Sequence, residues 1–307
     1  MPVYPRPRYL AAFALGIVVG VVISLAVIYI ATPSTSQPGE ELQPSATVSK
    51  KVLTNTSVAA GLEVGKPCLA KIVNESIVLL PLPLVRNSSI PLELALAYRR
   101  SLRHYINTAI TIEQLSQLLW AADGINNPYT GFRTAPSAGA TYPIVMYVVV
   151  GSKSVRLCNG KYLAPGSYIY DPYTHSLRLV RKGDLRDELA KAALGQEWVK
   201  RAAVDIVLCA VFQRTTKYYG ERGYRYVYME AGHIGQNIYL EAVALGLGTV
   251  AVGAFYDDEV QRVIGAAPDH HPIYIFPVGV PEHPYRVTQQ AIQSFIEKHR
   301  AEQGLQK

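Results

Sequence analysis

One short basic stretch, "RRSLRH", places four cationic or titratable side chains around a serine in this 307-residue sequence. Arg99 and Arg103 are four residues apart, so they share a face if a helix continues through them, and Ser101 lies between them. Guanidinium groups match phosphate oxygens bidentately, and a hydroxyl adds another hydrogen bond. Two interpretations are open: a cradle for a phosphate monoester, or a solvated helix end where cations suit the helix dipole.

Two segments of small residues could bring backbone amides close to a ligand. The first, "APSAGATYP", contains Pro136, Ser137, Ala138 and Gly139 and precedes a strand-like apolar run. The second, "LGLGTVAVGAF", has glycines on both sides of a short apolar run. Glycine permits close approach of the backbone to a ligand or to another element, but each segment alone is also typical of an ordinary loop.

Several other kinds of chemistry have no support in the residues. The three cysteines form no CxxC pair and the histidines show no HExxH spacing, so neither a metal site nor a disulfide framework is predicted, although a single bridge stays open. Ser137 is not in a GxSxG motif, and "GLGTVAVG" is not GxGxxG. The net charge of +7 favours an anionic partner. Because the cations are dispersed, nucleic acid is not predicted as that partner.

The N-terminal part of the sequence predicts a membrane anchor. Residues 9–31 carry no charge, and a helix of that length spans about 35 Å, enough to cross a bilayer. The run is too long for a typical signal peptide. Arg6 and Arg8 precede it, which predicts a cytoplasmic N-terminus and an extracytoplasmic remainder, as in a single-pass protein. The predicted organisation is a tip and anchor over 1–31, a Pro/Ser/Thr-rich tether over 32–50, an extension of uncertain structure over 51–80, and a folded domain with a C-terminal arm over 81–307.

The predicted domain mixes helices and strands without a regular βαβ repeat. Residues 111–124 have a Thr cap and leucines three to four apart, which predicts an amphipathic helix. "IVMYVVVG" and "VDIVLCAVF" are typical of buried strands, and "GKYLAPGSYIYDPYTHSLRLV" of a hairpin. "YVYMEAGHIGQNIYLEAVALGLG" predicts a long helix, "HPIYIFPVGVP" a last strand and "QQAIQSFIEKHRAEQG" a C-terminal helix. This pattern favours an α+β fold in which helices pack on a sheet.

Together, the ordered segments "RRSLRHY", "PSAGATYP", "YGERGYRYVYMEAGHIGQNIYLEAVALGLGTVAVGAF" and "PVGVP" resemble the flavin-dependent nitroreductase superfamily. They are most similar to its SagB-type branch, named for dehydrogenases that oxidise azoline rings to azoles in modified peptides. The resemblance covers about residues 81–286. It implies a nitroreductase-like α+β fold with a mostly antiparallel central sheet between helices. It also implies a homodimer that holds FMN in each of two clefts at the subunit interface.

The resemblance also implies roles for individual residues. The FMN phosphate and the flavin N1/O2 edge would be held by Arg99, Arg100, Ser101 and Arg103, with Arg286 as a further phosphate ligand. Backbone contacts, expected from the other subunit, would come from Pro136, Ser137, Ala138 and Gly139. Residues expected against the flavin ring are Val252, Gly253 and Ala254. A cation near N1/O2 stabilises the negative charge of reduced flavin.

The sequence departs from the family pattern at two places. Ala140 stands where ordinary nitroreductases carry an asparagine that touches the flavin, which again indicates the SagB-type branch. The Lys-Tyr pair of azole-forming members falls on Tyr218 and Tyr219, with Lys217 displaced by one position. The two tyrosines are therefore the catalytic candidates, while the lysine base and azoline oxidation itself stay open.

These observations lead to one functional hypothesis and an alternative from another class. The first is a membrane-anchored FMN-dependent oxidoreductase that transfers hydride at flavin N5 to or from a small molecule or a peptide-derived ring, with NAD(P)H as a candidate donor. The alternative is a non-catalytic flavin-binding protein or a membrane-tethered scaffold.

In the long helix, Gly232, Gly235 and Ala242 suit either a dimer axis or intrachain packing.

Overall fold

The computed structural model describes residues 70–85 and 90–305. The predicted anchor over residues 9–31, the tether over 32–50 and most of the extension lie outside these described residues, so they stay predictions. Within the described ranges, no helix combines the length and the apolar character that crossing a bilayer requires.

The described strands form one large antiparallel sheet and two small pairs. The large sheet has nine strands in the order β1-β2-β10-β9-β7-β11-β13-β12, with β3 also paired to β13. The strands are β1 (Lys71–Asn74), β2 (Ile77–Leu79), β3 (Tyr105–Ile106), β4 (Ile110–Thr111), β5 (Ile125–Asn127), β6 (Phe132–Arg133), β7 (Ile144–Val150), β8 (Val155–Arg156), β9 (Gly166–Asp171), β10 (Ser176–Lys182), β11 (Val204–Ala210), β12 (Gly248–Thr249) and β13 (His271–Pro281). The predicted hairpin is the β9–β10 pair, and the predicted buried strands are β7, β11 and β13.

The central strands are continuously apolar because helices cover both faces of the sheet. Along β7, Met146 and Val148 lie in the core on one face, while Tyr147 and Val149 lie in the core on the other. Successive side chains of a strand point to opposite faces, so a strand buried on both sides has no position for a polar alternation. The register places Val148 opposite Ile206 of β11.

The described helices divide between the two faces of the sheet. They are α1 (Leu92–Tyr98), α2 (Ile112–Asp123), α3 (Arg186–Ala192), α4 (Glu197–Arg201), α5 (Gln213–Tyr219), α6 (Arg222–Ala244), α7 (Asp257–Ile264) and α8 (Gln289–Glu302). Buried side chains of α2 and α6 share one core with the sheet, and those of α3, α4 and α7 share the other. The α+β fold with helices on both sides of a mostly antiparallel sheet is therefore confirmed.

Local sequence signals account for the ends of α2 and the edge of the sheet. The Thr111 side chain accepts a hydrogen bond from the Gln114 amide, and the Gln114 side chain accepts one from the Thr111 amide, a capping box as predicted. The β1–β2 hairpin, which falls in the predicted extension, pairs with β10 and lengthens the sheet.

Cys158 is disulfide-bonded, and Cys209 is a buried free thiol.

The small residues of α6 do not act alike. A Cβ placed on Gly235 would lie 2.7 Å from Cζ of Phe276 in β13, whereas a Cβ on Gly232 would meet nothing within 4 Å. Ala242 is buried in the core. Gly235 and Ala242 therefore serve packing against the sheet, and Gly232 lies on the exposed side of the helix.

Candidate functional site

The basic stretch is extended, not helical. Helix α1 ends at Tyr98, and Arg99 has backbone angles of φ −59° and ψ 121°, so the predicted helical face shared by Arg99 and Arg103 is wrong. Ser101 instead forms a parallel β-bridge with Thr249. In extended backbone, residues two apart point to the same side. Arg99 and Ser101 thus point to the same side of the segment, because side chains of an extended backbone repeat every two residues and not every 3.6 as in a helix.

Tyr239 of α6 holds this stretch in place. The Arg99 guanidinium lies 5.2 Å from the centroid of the Tyr239 ring, and the Ser101 hydroxyl lies 2.8 Å from the Tyr239 hydroxyl. The Ala251 amide donates to the same Tyr239 oxygen at 2.8 Å. One aromatic side chain therefore ties the basic stretch to the segment after β12.

The segment after β13 brings another arginine to the same place. The Arg286 guanidinium lies 4.7 Å from the ring centroid of Tyr98 at the end of α1. Arg100 donates to the Tyr285 hydroxyl at 3.1 Å and lies 4.2 Å from its ring centroid. The order of the chain could not show this proximity, because 186 residues separate positions 100 and 286. We call Arg99, Arg100, Ser101, Arg103 and Arg286 the arginine group.

The charge of the arginine group is not neutralised by acidic side chains. Among the described residues, no carboxylate lies within 4.0 Å of the guanidinium groups of Arg99, Arg100, Arg103 or Arg286. Their neighbours are aromatic instead, with Arg103 lying 5.3 Å from the Trp198 ring centroid. Arg100 and Arg286 each donate one hydrogen bond to Tyr285, and the remaining N–H donors of the guanidinium groups can bind an anion.

The segment containing Val252, Gly253 and Ala254 offers backbone amides beside this group. The Val252 amide donates to the Ile275 carbonyl at 2.8 Å, and the Val252 side chain is buried in the core. The expected position of Val252 against a flavin ring stays a prediction, and its amide is already used within the chain. Gly253 and Ala254 are exposed, and within the described part of the chain their amides donate no hydrogen bond, so both can meet a ligand.

The loop of Pro136, Ser137, Ala138 and Gly139 is shaped by an unusual backbone. Gly139 has φ +60°, and Ala140 and Tyr142 also have positive φ values of 52° and 43°. Such values cost non-glycine residues energy and persist only where the surroundings impose them. Here Ser137 accepts a hydrogen bond from the Tyr142 amide at 2.9 Å, and Thr141 pairs with Thr215 of α5, hydroxyl to hydroxyl, at 2.7 Å.

Helix α5 and this loop line an open cavity of about 510 Å³. A Cβ on Gly139 would lie 2.6 Å from the Tyr219 hydroxyl oxygen, so the tyrosine reaches the loop. Lys217, although displaced by one position from the family pattern, also lines the cavity, and its Nζ lies 4.9 Å from the Tyr218 ring centroid. The structure therefore brings both candidate catalytic tyrosines and the lysine to one cavity. We call Ser137, Gly139, Thr141, Lys217, Tyr218 and Tyr219 the loop group.

Buried ionisable side chains support the loop group. Burial raises the pKa of Glu230 of α6 to about 8, although the Ser137 side chain beside it opposes the rise, and Glu230 Oε1 has no hydrogen-bond partner. Nearby, Arg133 and Asp123 form an ion pair at 2.6 Å. Burial raises the pKa of Asp123 to about 7, although the Arg133 guanidinium opposes the rise. Two carboxyl groups under the loop therefore hold protons at pH values where exposed carboxyls are ionised.

The two groups contact the same helix at separate positions. Ser137 contacts Glu230 and Ser101 contacts Tyr239, nine residues apart, which corresponds to about 13 Å along a helix axis. In the described residues, no hydrogen bond or ion pair joins the arginine group to the loop group. Sequence reasoning missed Tyr239 and Glu230. The one available signal was that Glu230 interrupts the buried apolar positions of α6.

Residues 96–280 match the family model described as the nitroreductase family. The chain belongs to the nitroreductase family. A protein of Methanocaldococcus jannaschii named as a nitroreductase, MJ1384, is 44% identical over 190 residues, which cover 62% of this chain and 91% of that protein. A crystal structure from Ralstonia eutropha, also named as a nitroreductase, has a TM-score of 0.59 and 31% identity, over 73% of this chain and 96% of that one.

Two further relatives place the chain within the family. The trifolitoxin operon protein TfxC of Rhizobium leguminosarum is 25% identical over 59% of this chain and 53% of its own length. The microcin B17-processing protein McbC of Escherichia coli is 26% identical over 50% of this chain and 56% of its own length. This nitroreductase-family chain thus spans about half of TfxC and of McbC. The similarity confirms the SagB-type branch.

Proposed function

We propose that the protein is an FMN-dependent oxidoreductase of the SagB type. The observation that carries the proposal is the arginine group: four guanidinium groups without a carboxylate partner in the described residues, beside the unused amides of Gly253 and Ala254. An anionic ligand with a polar planar edge satisfies both features at once. Membership of a family whose members typically use FMN supports this choice of ligand.

The residues present fit FMN. Arg99, Arg286 and the Ser101 hydroxyl would hold the phosphate, and Arg103 would stabilise negative charge at the N1/O2 edge. The exposed amides of Gly253 and Ala254 would bind the N5/O4 edge. When bound, FMN supplies two-electron hydride chemistry at N5. NADH or NADPH is the proposed electron donor.

The loop-group cavity is the proposed position of the reacting substrate. Tyr219 is the candidate for holding or delivering a proton, because its hydroxyl lies against the loop at Gly139, and Tyr218 lies on the same wall of the cavity. Lys217 lines this cavity too, so the displacement by one position does not remove a basic group from the site. Proton transfer of this kind requires a positioned side chain within hydrogen-bonding reach of the substrate.

The substrate is proposed to be a small molecule or a ring derived from a peptide. McbC is named for processing microcin B17, and a solved complex of McbBCD, with 24% identity and a TM-score of 0.51 to this chain, holds truncated pro-MccB17. These names support a peptide-derived ring. MJ1384 is named as a nitroreductase and is matched over nearly its full length. It therefore supports a small molecule that the enzyme reduces without a partner protein of another kind.

We propose further that the complete site needs two copies of the chain. The arginine group of one copy would face the loop group of the other, since the residues that the two groups of one chain contact, Tyr239 and Glu230, are about 13 Å apart along α6. The test mixes an Arg99→Ala chain with a Tyr219→Phe chain, each inactive as a homodimer. Exchange of subunits should restore part of the activity, because one site then carries neither substitution. Activity that stays absent after verified exchange contradicts a shared site.

The membrane anchor over residues 9–31 and the extracytoplasmic position of the domain are also proposals. Protease added to intact cells should digest the domain if it lies outside. Full protection of the domain, with digestion only after lysis, would contradict this topology. The domain would then bind FMN in the cytoplasm, where FMN is made.

The deciding experiment is the visible absorbance spectrum of the purified full-length chain with added FMN. Bound flavin that bleaches with NADH or NADPH supports the reductase proposal. Bound flavin that is reduced by no donor and passes electrons to no acceptor tested favours the alternative of a non-catalytic flavin-binding protein. Replacing Arg103 by Ala should weaken retention of the yellow cofactor, whereas Arg156→Ala, at an exposed arginine of β8, should not. Absence of bound flavin in the wild-type protein would overturn the proposal.

A further inference from the structure

A second cavity, of about 580 Å³, adjoins the loop-group cavity. Arg214 lines both cavities. One wall of the second cavity is apolar and consists of Ile77, Leu79, Val145 and Ile169. A volume of this size and an apolar wall with a few polar groups are typical of small-molecule sites.

The second cavity is cationic. Arg178 and Arg214 both line it, and within the described ranges neither has a carboxylate within 4.0 Å. Burial and, to a smaller extent, the nearby Arg133 lower the pKa of Arg214, which also donates to the Tyr142 carbonyl at 2.9 Å. His270 adds a titratable group, with its Nδ1 lying 2.8 Å from the Tyr147 hydroxyl.

The acidic residues that line the cavity are already occupied. Asp171 accepts hydrogen bonds from the Tyr173 amide at 2.9 Å and from the Thr174 hydroxyl at 2.8 Å. Asp123 pairs with Arg133 through Oδ2 at 2.6 Å. Asp171 keeps its negative charge, so the lining contains the Asp123–Arg133 pair and two further arginines against one further carboxylate.

The buried ion pair leaves two polar atoms unsatisfied. Asp123 Oδ1 and Arg133 Nε have no hydrogen-bond partner, although Asp123 is only 2% exposed. The Arg133 guanidinium is held between two rings, 4.3 Å from the Tyr142 centroid and 5.5 Å from that of Tyr173. Buried polar atoms without partners are costly, and a bound molecule with polar atoms would satisfy them.

We propose that the second cavity binds a small carboxylate whose body is aromatic or aliphatic. The carboxylate lies between Arg178 and Arg214, since guanidinium groups bind carboxylates strongly, and the body lies against the apolar wall. Because Arg214 also faces the loop-group cavity, a substrate with a reactive ring and a carboxylate can occupy both. The role as substrate rests on the proposed function, whereas the binding itself does not.

The test is calorimetric titration of the full-length chain, without flavin, using benzoate and its neutral isostere benzamide. Benzoate should bind at least about tenfold more tightly, because a charge-assisted hydrogen bond to arginine is lost in the amide. Arg178→Gln, at an exposed position, should remove about tenfold of the benzoate affinity and leave the benzamide affinity unchanged. Arg156→Gln is the matched control and should change neither affinity.

The outcomes separate this inference from the proposed function. Preference for benzoate in a chain that binds no flavin would support the cavity and overturn only the flavin proposal. Equal binding of benzoate and benzamide, benzoate binding unaffected by both Arg178→Gln and Arg214→Gln, or no binding of benzoate would overturn the cavity proposal. In the flavin-loaded protein, a lower KM for 4-nitrobenzoate than for nitrobenzene, lost in Arg178→Gln, would identify the carboxylate as part of the substrate.

Discussion

The arginine group and the loop group both contact helix α6, through Tyr239 and Glu230 respectively, but different kinds of contact hold them in place. The arginines stack on Tyr98, Tyr239, Trp198 and Tyr285 and have no carboxylate partner among the described residues. The loop is fixed by hydroxyl contacts and by a buried carboxyl group, Glu230, with its pKa raised to about 8. Aromatic support leaves cationic charge available for a ligand, whereas buried polar support positions a loop and makes its stability depend on pH.

The two groups should also differ in what a substitution changes. Removing a member of the arginine group takes away affinity for an anion but little of the core, because most of these side chains are exposed. Most side chains of the loop group are exposed as well, but substitutions at Ser137, Gly139 or Thr141 change hydrogen bonds, buried neighbours or backbone strain. Ligand affinity should therefore report on the first group, and unfolding free energy and its pH dependence should report on the second.

The largest expected effect is the pH dependence contributed by Glu230. The folded-state pKa of about 8 lies above the ordinary value of 4.5, so the folded protein holds a proton that the unfolded chain releases. Stability from this group is present below pH 4.5 and is lost as pH rises toward 8, at about 1.4 kcal/mol per pH unit. Glu230→Gln should flatten the pH profile of the unfolding free energy by about one proton, as measured by urea denaturation.

Asp123 provides the internal comparison for that measurement. Its pKa is raised from 3.8 to about 7, so it contributes a slope of the same sign that ends about one pH unit earlier. The Glu230→Gln protein should therefore still lose stability up to about pH 7. An unchanged slope between pH 7 and 8 in the variant would show that Glu230 is ionised in the folded protein.

The next effect concerns flavin affinity. Arg99→Ala should raise the Kd for FMN by about 10- to 100-fold, since hydrogen bonds to charged groups contribute about 1.5–3 kcal/mol. Fluorescence titration of FMN measures this, and Arg156→Ala serves as the control with the same loss of charge. The unfolding free energy should change little. A large loss of stability with unchanged affinity would assign Arg99 to structure instead of binding.

Gly139 tests the backbone strain of the loop group. Alanine at φ +60° costs about 1–2 kcal/mol, and its Cβ would also lie 2.6 Å from the Tyr219 hydroxyl. In the double variant Gly139→Ala/Tyr219→Phe, the nearest ring atom would be 3.4 Å away, an ordinary contact. Chemical denaturation should therefore show partial recovery of stability in the double variant. Recovery that is complete would mean that the backbone angle itself costs little.

The sequence predicted the elements well where the burial of apolar residues alone decides structure. The β7, β11 and β13 strands and helix α6 are long apolar segments, and turn or capping residues mark their ends. The basic stretch shows the limit, because pairing of Ser101 with Thr249, nearly 150 residues away, ends α1 at Tyr98. Local helix propensity contains no information about a pairing between residues so far apart in the sequence.

The polar supports of the site could not be predicted for a related reason. Glu230 and Tyr239 stand in a helix whose pattern is that of any amphipathic helix, and only the folded chain places them under Ser137 and Ser101. The resemblance to a family named the ligand residues but not these supports. The second cavity likewise depends on residues of seven separate elements that no motif joins.

The smallest effect separates the two interpretations of α6. Gly235→Ala should destabilise the protein by about 1–3 kcal/mol, because the added methyl group collides with the buried Phe276 ring. Gly232→Ala meets no atom of its own chain and should stabilise the helix by about 0.5–1 kcal/mol. Denaturation and sedimentation velocity of both variants measure this difference. If Gly232→Ala instead weakens self-association, the exposed side of α6 is the dimer axis, and the arginine group and the loop group of different copies meet across it.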